Sequence, residues 1–195
     1  MSNNRVCPVE RSGMLDSKVR KIFHNPEKIL KPYISKGMDV LDVGCGPGYF
    51  TIEMANLVED SGKVLAADLQ EGMILNLKDK IENTNLEERI NFLKVEKDKI
   101  GLSDDFDFIL VFYMLHEVPN QEKFLKELFG HLKSNGKILI SEPKLHVNKK
   151  DFQKSINIIK DIGFKVIETP SIFLSRSIVI QKEWFSINSY LSSTK

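Results

Sequence analysis

Neither sign of charge dominates this sequence: 28 lysines and arginines stand against 27 aspartates and glutamates, a formal net charge of +1. That balance removes the electrostatic motive for a phosphate-backbone partner, so no nucleic acid is expected. Cysteine is scarce, with only Cys7 and Cys45 and no Cys-x-x-Cys pair. This argues against a disulfide framework and a thiolate metal centre, and for a reducing compartment. Long apolar runs are missing as well. Phe108 to Leu115 is among the longest, far too short to span a bilayer. Met1 to Arg11 is polar and charged without an apolar core, so no secretory leader is expected. The expectation is a cytoplasmic protein with no membrane partner and no metal.

What remains is ordinary globular material, 195 residues with 42% hydrophobic and 28% charged content, enough for one domain with a substantial core. From Leu15 the pattern reads helix, helix, then strand and helix in alternation. Asn25-Pro26 opens a helix expected to reach about Tyr33 and stop near Gly37. Strands are expected at Met38 to Val43, Lys63 to Ala67, Ile90 to Val95, Phe108 to Phe112 and Lys137 to Ser141, the last entered through an Asn135-Gly136 turn. Helices are expected at Tyr49 to Leu57, Gly72 to Ile81, Gln121 to Leu132 and Phe152 to Ile162. Phe164 to Glu168 and Ile172 to Ile180 read as two closely spaced strands that pair antiparallel. Alternating strands and helices mean βαβ units and a mostly parallel sheet. The chain divides into an N-terminal helical segment (1–35), an α/β domain (36–182) and a tail (183–195).

The chemistry concentrates after the first strand of that domain, in Val40-Leu41-Asp42-Val43-Gly44-Cys45-Gly46-Pro47-Gly48-Tyr49-Phe50-Thr51. Glycines at a strand-to-helix turn let the backbone bend sharply and approach a ligand without a Cβ in the way. In doubly wound sheets that turn lies where ligands bind. A nicotinamide fingerprint wants Gly-x-Gly-x-x-Gly, but here the third glycine comes one residue early and Asp42 sits inside the strand, so an oxidoreductase is disfavoured. Asp68 follows 20 residues after Gly48, at the end of the second strand. A carboxylate there can accept hydrogen bonds from both ribose hydroxyls of an adenosine.

The glycine segment resembles the first motif of the class I S-adenosylmethionine-dependent methyltransferases, and the chain from about Lys36 to Lys182 follows that family's order of elements. It is most similar to the branch containing ubiquinone and menaquinone biosynthesis methyltransferases. The resemblance implies a Rossmann-like fold with a mostly parallel seven-stranded sheet, an antiparallel last strand and N-terminal helices. It implies S-adenosyl-L-methionine as cofactor. Asp42, Gly44, Cys45, Gly46 and Gly48 would hold its methionine half, Asp68 its ribose, and Leu69 and Met73 would flank the adenine. Glu96, with the backbone N–H of Lys97, would read the adenine edge; Asp98 is a rival for that place. Phe112 and the residues leaving the fourth strand would border the methyl group.

Methyl transfer from a sulfonium is an SN2 displacement, helped chiefly by alignment and exclusion of water. A base is needed only where the acceptor enters protonated. His116 and Tyr113 are the candidate catalytic residues, each with a structural alternative: a helix-start hydrogen bond for His116, packing against the N-terminal helix for Tyr113. Glu117, Glu142 and His146 lie at the same sheet end. Cys7 sits in a segment that could lid the cofactor, yet the further cysteines that soft-metalloid chemistry uses are absent. The Asn-Pro-Pro-Tyr signature of amino-group methylation is missing after the fourth strand, which leaves a small molecule as the expected acceptor. A non-catalytic S-adenosylmethionine-binding regulatory module is the alternative reading.

Overall fold

The computed structural model describes residues 23–183 apart from Asp98. The helix expected from Leu15, the lid with Cys7, the tail and Asp98 lie outside the described residues. Helix α1 (Pro26–Leu30) begins as expected: the Asn25 side chain accepts from the Lys28 N–H and Pro26 occupies a position that needs no donor. It ends at Leu30, earlier than the apolar spacing implies. Tyr33 and Ile34 are nevertheless buried in the turn that follows.

The alternating order is β1 (Asp39–Val43), α2 (Thr51–Val58), β2 (Lys63–Asp68), α3 (Glu71–Ile81), β3 (Ile90–Lys94), β4 (Phe106–Phe112), α4 (Gln121–His131), β5 (Leu132–Pro143), α5 (Lys149–Ile162), β6 (Phe164–Glu168) and β7 (Ser175–Lys182). The seven strands form one sheet in the order β3-β2-β1-β4-β5-β7-β6. All neighbours pair parallel except β7, which runs antiparallel to both β5 and β6. The antiparallel last strand was the topology implied by the family resemblance.

Strand β4 shows why a uniformly apolar run belongs in the centre of such a sheet. Phe108, Leu110 and Phe112 pack with buried residues of α1, α2 and α3, whereas Ile109 and Val111 pack with residues of α4 and α5. Successive side chains point to opposite faces and both faces are covered, so no polar alternation is tolerated. At the amino ends of the strands, Lys133 Nζ bonds Asp39 (3.0 Å) and Asp107 (2.8 Å), and Asp107 also accepts the Asp39 N–H at 2.9 Å. These contacts join β1, β4 and β5 at the end remote from the glycine loop.

Two further boundaries that differ from the sequence expectation have a clear physical reason. Leu132 does not close α4; it starts β5, is 1% exposed and pairs with Phe106. The next pair is Phe108 with Lys137, so the expected Asn135-Gly136 turn is an irregularity within a longer strand. Burial of Leu132 overrides the local turn signal. Strand β7 begins at Ser175 rather than Ile172, although Ile172 is buried beside α1. Among the described residues, no helix is long and apolar enough to cross a membrane.

Phe108 is fully buried at the middle of β4. Phe108→Ala is therefore expected to lower stability by about 3–5 kcal/mol, the range for an aromatic side chain deleted from a core. Urea unfolding should show this as a lower midpoint at unchanged slope.

Candidate active site

The sheet order reverses at β1, with β2 and β3 to one side and β4 and β5 to the other, which opens a crevice at the carboxyl ends of β1 and β4. A cavity occupies it. It is walled by the end of β1 with the glycine loop, the end of β2 with the start of α3, the Val95–Ile100 loop, the residues leaving β4, and one side of α4.

The loop is pinned from both flanks. Gly44 and Cys45 donate their N–H groups to the Ala67 carbonyl at 2.8 and 3.0 Å. Asp42, 3% exposed, accepts from the Thr51 hydroxyl at 2.6 Å, tying β1 to the first residue of α2. Asp68 Oδ2 accepts from Gly46 N–H at 2.9 Å and Oδ1 from Gln70 N–H at 2.8 Å. Burial raises the Asp68 pKa, and the backbone N–H groups of Gln70, Gly46 and Leu69 oppose that rise. Each carboxylate oxygen has a second lone pair, so Asp68 can hold the loop and still accept from a ligand.

The loop glycines have different tasks. Gly46 has φ +54° and a Cβ built there meets no protein atom within 4 Å, so its open side is the cavity. Gly48 has φ +87°, and a Cβ there would lie 2.2 Å from Leu77 Cδ1. Gly48 is not on the cavity wall; it lets the loop pack against α3. Cys45 is buried, and desolvation pushes its thiol far above the ordinary range, which makes it a small packing residue rather than a nucleophile.

Leu69, Met73, Glu96, Lys97 and Phe112 all line the cavity with Asp42, Gly44, Cys45, Gly46 and Asp68. Glu96 is braced by a backbone bridge to Lys99. Phe112 stacks obliquely between Phe50 and Tyr113, with ring centroids 4.4 Å away on either side. Tyr113 also lines the cavity but has φ +61°, unusual for a bulky residue. Its hydroxyl is 3.0 Å from His24 Nε2 and 2.5 Å from Ser175 Oγ, so the strained residue is held by the segment before α1 and by β7.

His116 stands outside the cavity wall. Its Nδ1 lies 2.5 Å from Glu142 Oε2, and buried Glu142 also accepts the N–H groups of Leu115 (3.1 Å) and His116 (3.2 Å). His146 approaches its ring at 5.9 Å. Glu117, by contrast, is on the wall; desolvation, reinforced by Glu142 and Asp68 and opposed by His116, raises its pKa to about 7. Glu127 of α4 reaches across to accept from Ile100, Gly101 and Leu102 N–H groups at 3.1, 2.6 and 3.3 Å, which fixes the loop after β3. Nothing local in the sequence marks Glu127, His24 or Ser175 for these tasks, because their partners are 25 to 89 residues away.

A model of the methyltransferase domain matches residues 34–188. The chain belongs to that methyltransferase family. Its fold is the Rossmann-like class I arrangement, and its curated relatives include the ubiquinone/menaquinone biosynthesis C-methyltransferase UbiE of Pasteurella multocida, 30% identical over 139 residues. That match takes in 69% of this chain and 52% of the relative, so the chain spans about half the length of the curated protein. A solved S-adenosylmethionine-dependent methyltransferase from Aquifex aeolicus is 28% identical with a TM-score of 0.80, covering 90% of this chain and 98% of the other. A ribosomal protein L11 methylase from Lactobacillus delbrueckii, at 16% identity and a TM-score of 0.65 over 84% of this chain and 80% of its own, shares the fold.

The two glycines should separate by experiment. Gly48→Ala puts a Cβ into Leu77 at positive φ and is expected to cost about 2–5 kcal/mol of stability, from backbone strain and overpacking together. Gly46→Ala should cost only about 1–2 kcal/mol, from the backbone alone, and act mainly on ligand affinity. Chemical denaturation beside calorimetric titration distinguishes the two.

Proposed function

We propose that this chain transfers a methyl group from S-adenosylmethionine to a small-molecule acceptor in the cytoplasm. The observation that carries the reading is a single cavity bringing together the open face of Gly46, the buried carboxylates Asp42 and Asp68, and an apolar wall that includes Leu69, Met73, Val95 and Ile100. That set suits a ligand with ribose hydroxyls, a flat heteroaromatic ring and positive charge. Asp68 would accept from the ribose. Glu96 and the Lys97 N–H would address the adenine edge, and the Asp42–Gly46 strand end would receive the amino-acid portion. Bound there, the cofactor supplies an activated methyl on a positively charged sulfur.

The same wall includes Phe50, Phe112, Tyr113 and Met114. Apolar and aromatic walls keep water from the reacting centre and suit a compact organic acceptor. Among the described residues the wall carries five carboxylates (Asp42, Asp68, Glu96, Glu117 and Glu127) against Lys97 and Lys99, a balance that repels a nucleic-acid backbone. His116 and Tyr113 are assigned supporting parts. In its neutral form with Nδ1–H donating to Glu142, His116 would carry its lone pair on Nε2. Tyr113 shapes the acceptor end through its ring, its hydroxyl being engaged by His24 and Ser175.

Calorimetry should show S-adenosylmethionine binding and no NADH binding. Asp68→Ala should weaken that binding by about 1.5–3 kcal/mol, the range for hydrogen bonds to a charged group. Incubation with a panel of phenols, thiols and amines, with RNA and protein as further arms, should release S-adenosylhomocysteine with a small-molecule acceptor. NADH binding without S-adenosylmethionine binding overturns the cofactor assignment, and turnover with RNA or protein alone overturns the acceptor class.

A further inference from the structure

The short turn Leu115–Glu117 is fixed from beneath by Glu142, which is 2% exposed and accepts both Leu115 and His116 N–H groups and the His116 ring. Held so, the turn presents Glu117 to the cavity between Met114 and Val118. Among the described residues no hydrogen bond or ion pair reaches the Glu117 carboxylate, whereas Asp42, Asp68 and Glu127 are each satisfied by donors of the chain. A half-buried carboxyl with no donor among the described residues, on the wall of a cavity, carries a desolvation cost that protonation or a ligand's positive charge relieves.

We infer that Glu117 is a specificity-determining residue that selects the positively charged methyl donor over its neutral thioether product. The inference rests on the cofactor reading above. The groups that set its charge are His116 beside it, Glu142 behind it on β5 and Asp68 on β2. Across the cavity stand Asp42, Glu96, Lys97, Lys99 and Glu127. Burial first, and then the acidic neighbours Glu142 and Asp68, favour the protonated carboxyl against the opposing His116, which puts its pKa at about 7. A sulfonium entering the cavity favours the carboxylate, so binding expels a proton. Once the methyl group has left, the sulfur is neutral, the carboxylate loses its counter-charge, and the product is held less tightly than the donor.

The sign follows from linkage: a ligand that lowers the Glu117 pKa binds more tightly as pH rises through the free-protein value. For a downward shift of one unit from about 7, affinity for S-adenosylmethionine rises about fivefold between pH 6 and pH 8, and about 0.4 proton is released at pH 7. Titration calorimetry of the full chain, in buffers of different ionisation enthalpy, measures both quantities for S-adenosylmethionine and for S-adenosylhomocysteine. The wild type should show proton release with the sulfonium alone and a donor-to-product affinity ratio that grows with pH. Glu117→Gln should abolish the release and reduce the pH dependence of that ratio to the part the ligands' own titration contributes. Glu117→Asp, which keeps the charge, should retain at least part of both.

Thermal unfolding supplies the fold control. A carboxyl whose folded pKa is raised loses stability as pH climbs from its unfolded value through the folded one, so Glu117→Gln should melt higher than wild type at pH 8 and about equally at pH 4. Wild type and Glu117→Gln with equal proton release and equal affinity ratios overturn the inference and leave the methyltransferase reading standing. Failure of the wild type to bind S-adenosylmethionine defeats that reading first.

Discussion

The part-buried hydrogen bond from Gly46 N–H to the Asp68 carboxylate organises the functional end of this molecule. Through it the glycine loop after β1 is joined to the end of β2, and the other oxygen of the same carboxylate holds Gln70 at the start of α3. Three segments that would otherwise wander at the rim of the sheet share one anion. The bond is charge-assisted. It also leaves lone pairs on both oxygens, so the group that builds the cavity remains able to bind what enters it.

Strain is stored close to that anchor. Gly44, Gly46 and Gly48 adopt positive φ at no steric cost, but Tyr113 does so with a full side chain. Its position is sustained by His24 before α1 and by Ser175 on β7, and by the rings of Phe112 and His24. The Tyr113 side of the cavity therefore depends on residues near both ends of the described chain. The glycine-loop side depends on the ends of β1 and β2 and on Thr51 at the start of α2.

Electrostatically the cavity is an acidic enclosure with uneven satisfaction. Asp42 is tied to Thr51, Asp68 to backbone donors, and Glu127 to three N–H groups of the loop after β3. Among the described residues no donor reaches the half-buried Glu117 carboxyl, and the Glu96 side chain is exposed. A site of this kind favours positive charge without a metal-like cluster; among the described residues no grouping suited to a metal ion occurs.

Sequence by itself determined the order of strands and helices, the uniformly apolar central strand, the glycine turn and the acid at the end of β2. These are local matters: side-chain period, backbone permission at glycine, and a fixed spacing along one βαβ unit. It could also distinguish the glycine pattern from a dinucleotide fingerprint. Only the tertiary structure decided which glycine faces the cavity, because the task of Gly48 is set by Leu77 in the next helix. It alone turned His116 onto Glu142 and away from the wall, and put Glu117, one residue on, against the ligand space. It likewise made Leu132 a strand residue, since pairing with Phe106 and burial outweigh the Asn135-Gly136 turn signal. In each case the deciding partner is remote in sequence, and burial by such a partner is a property that no local pattern encodes.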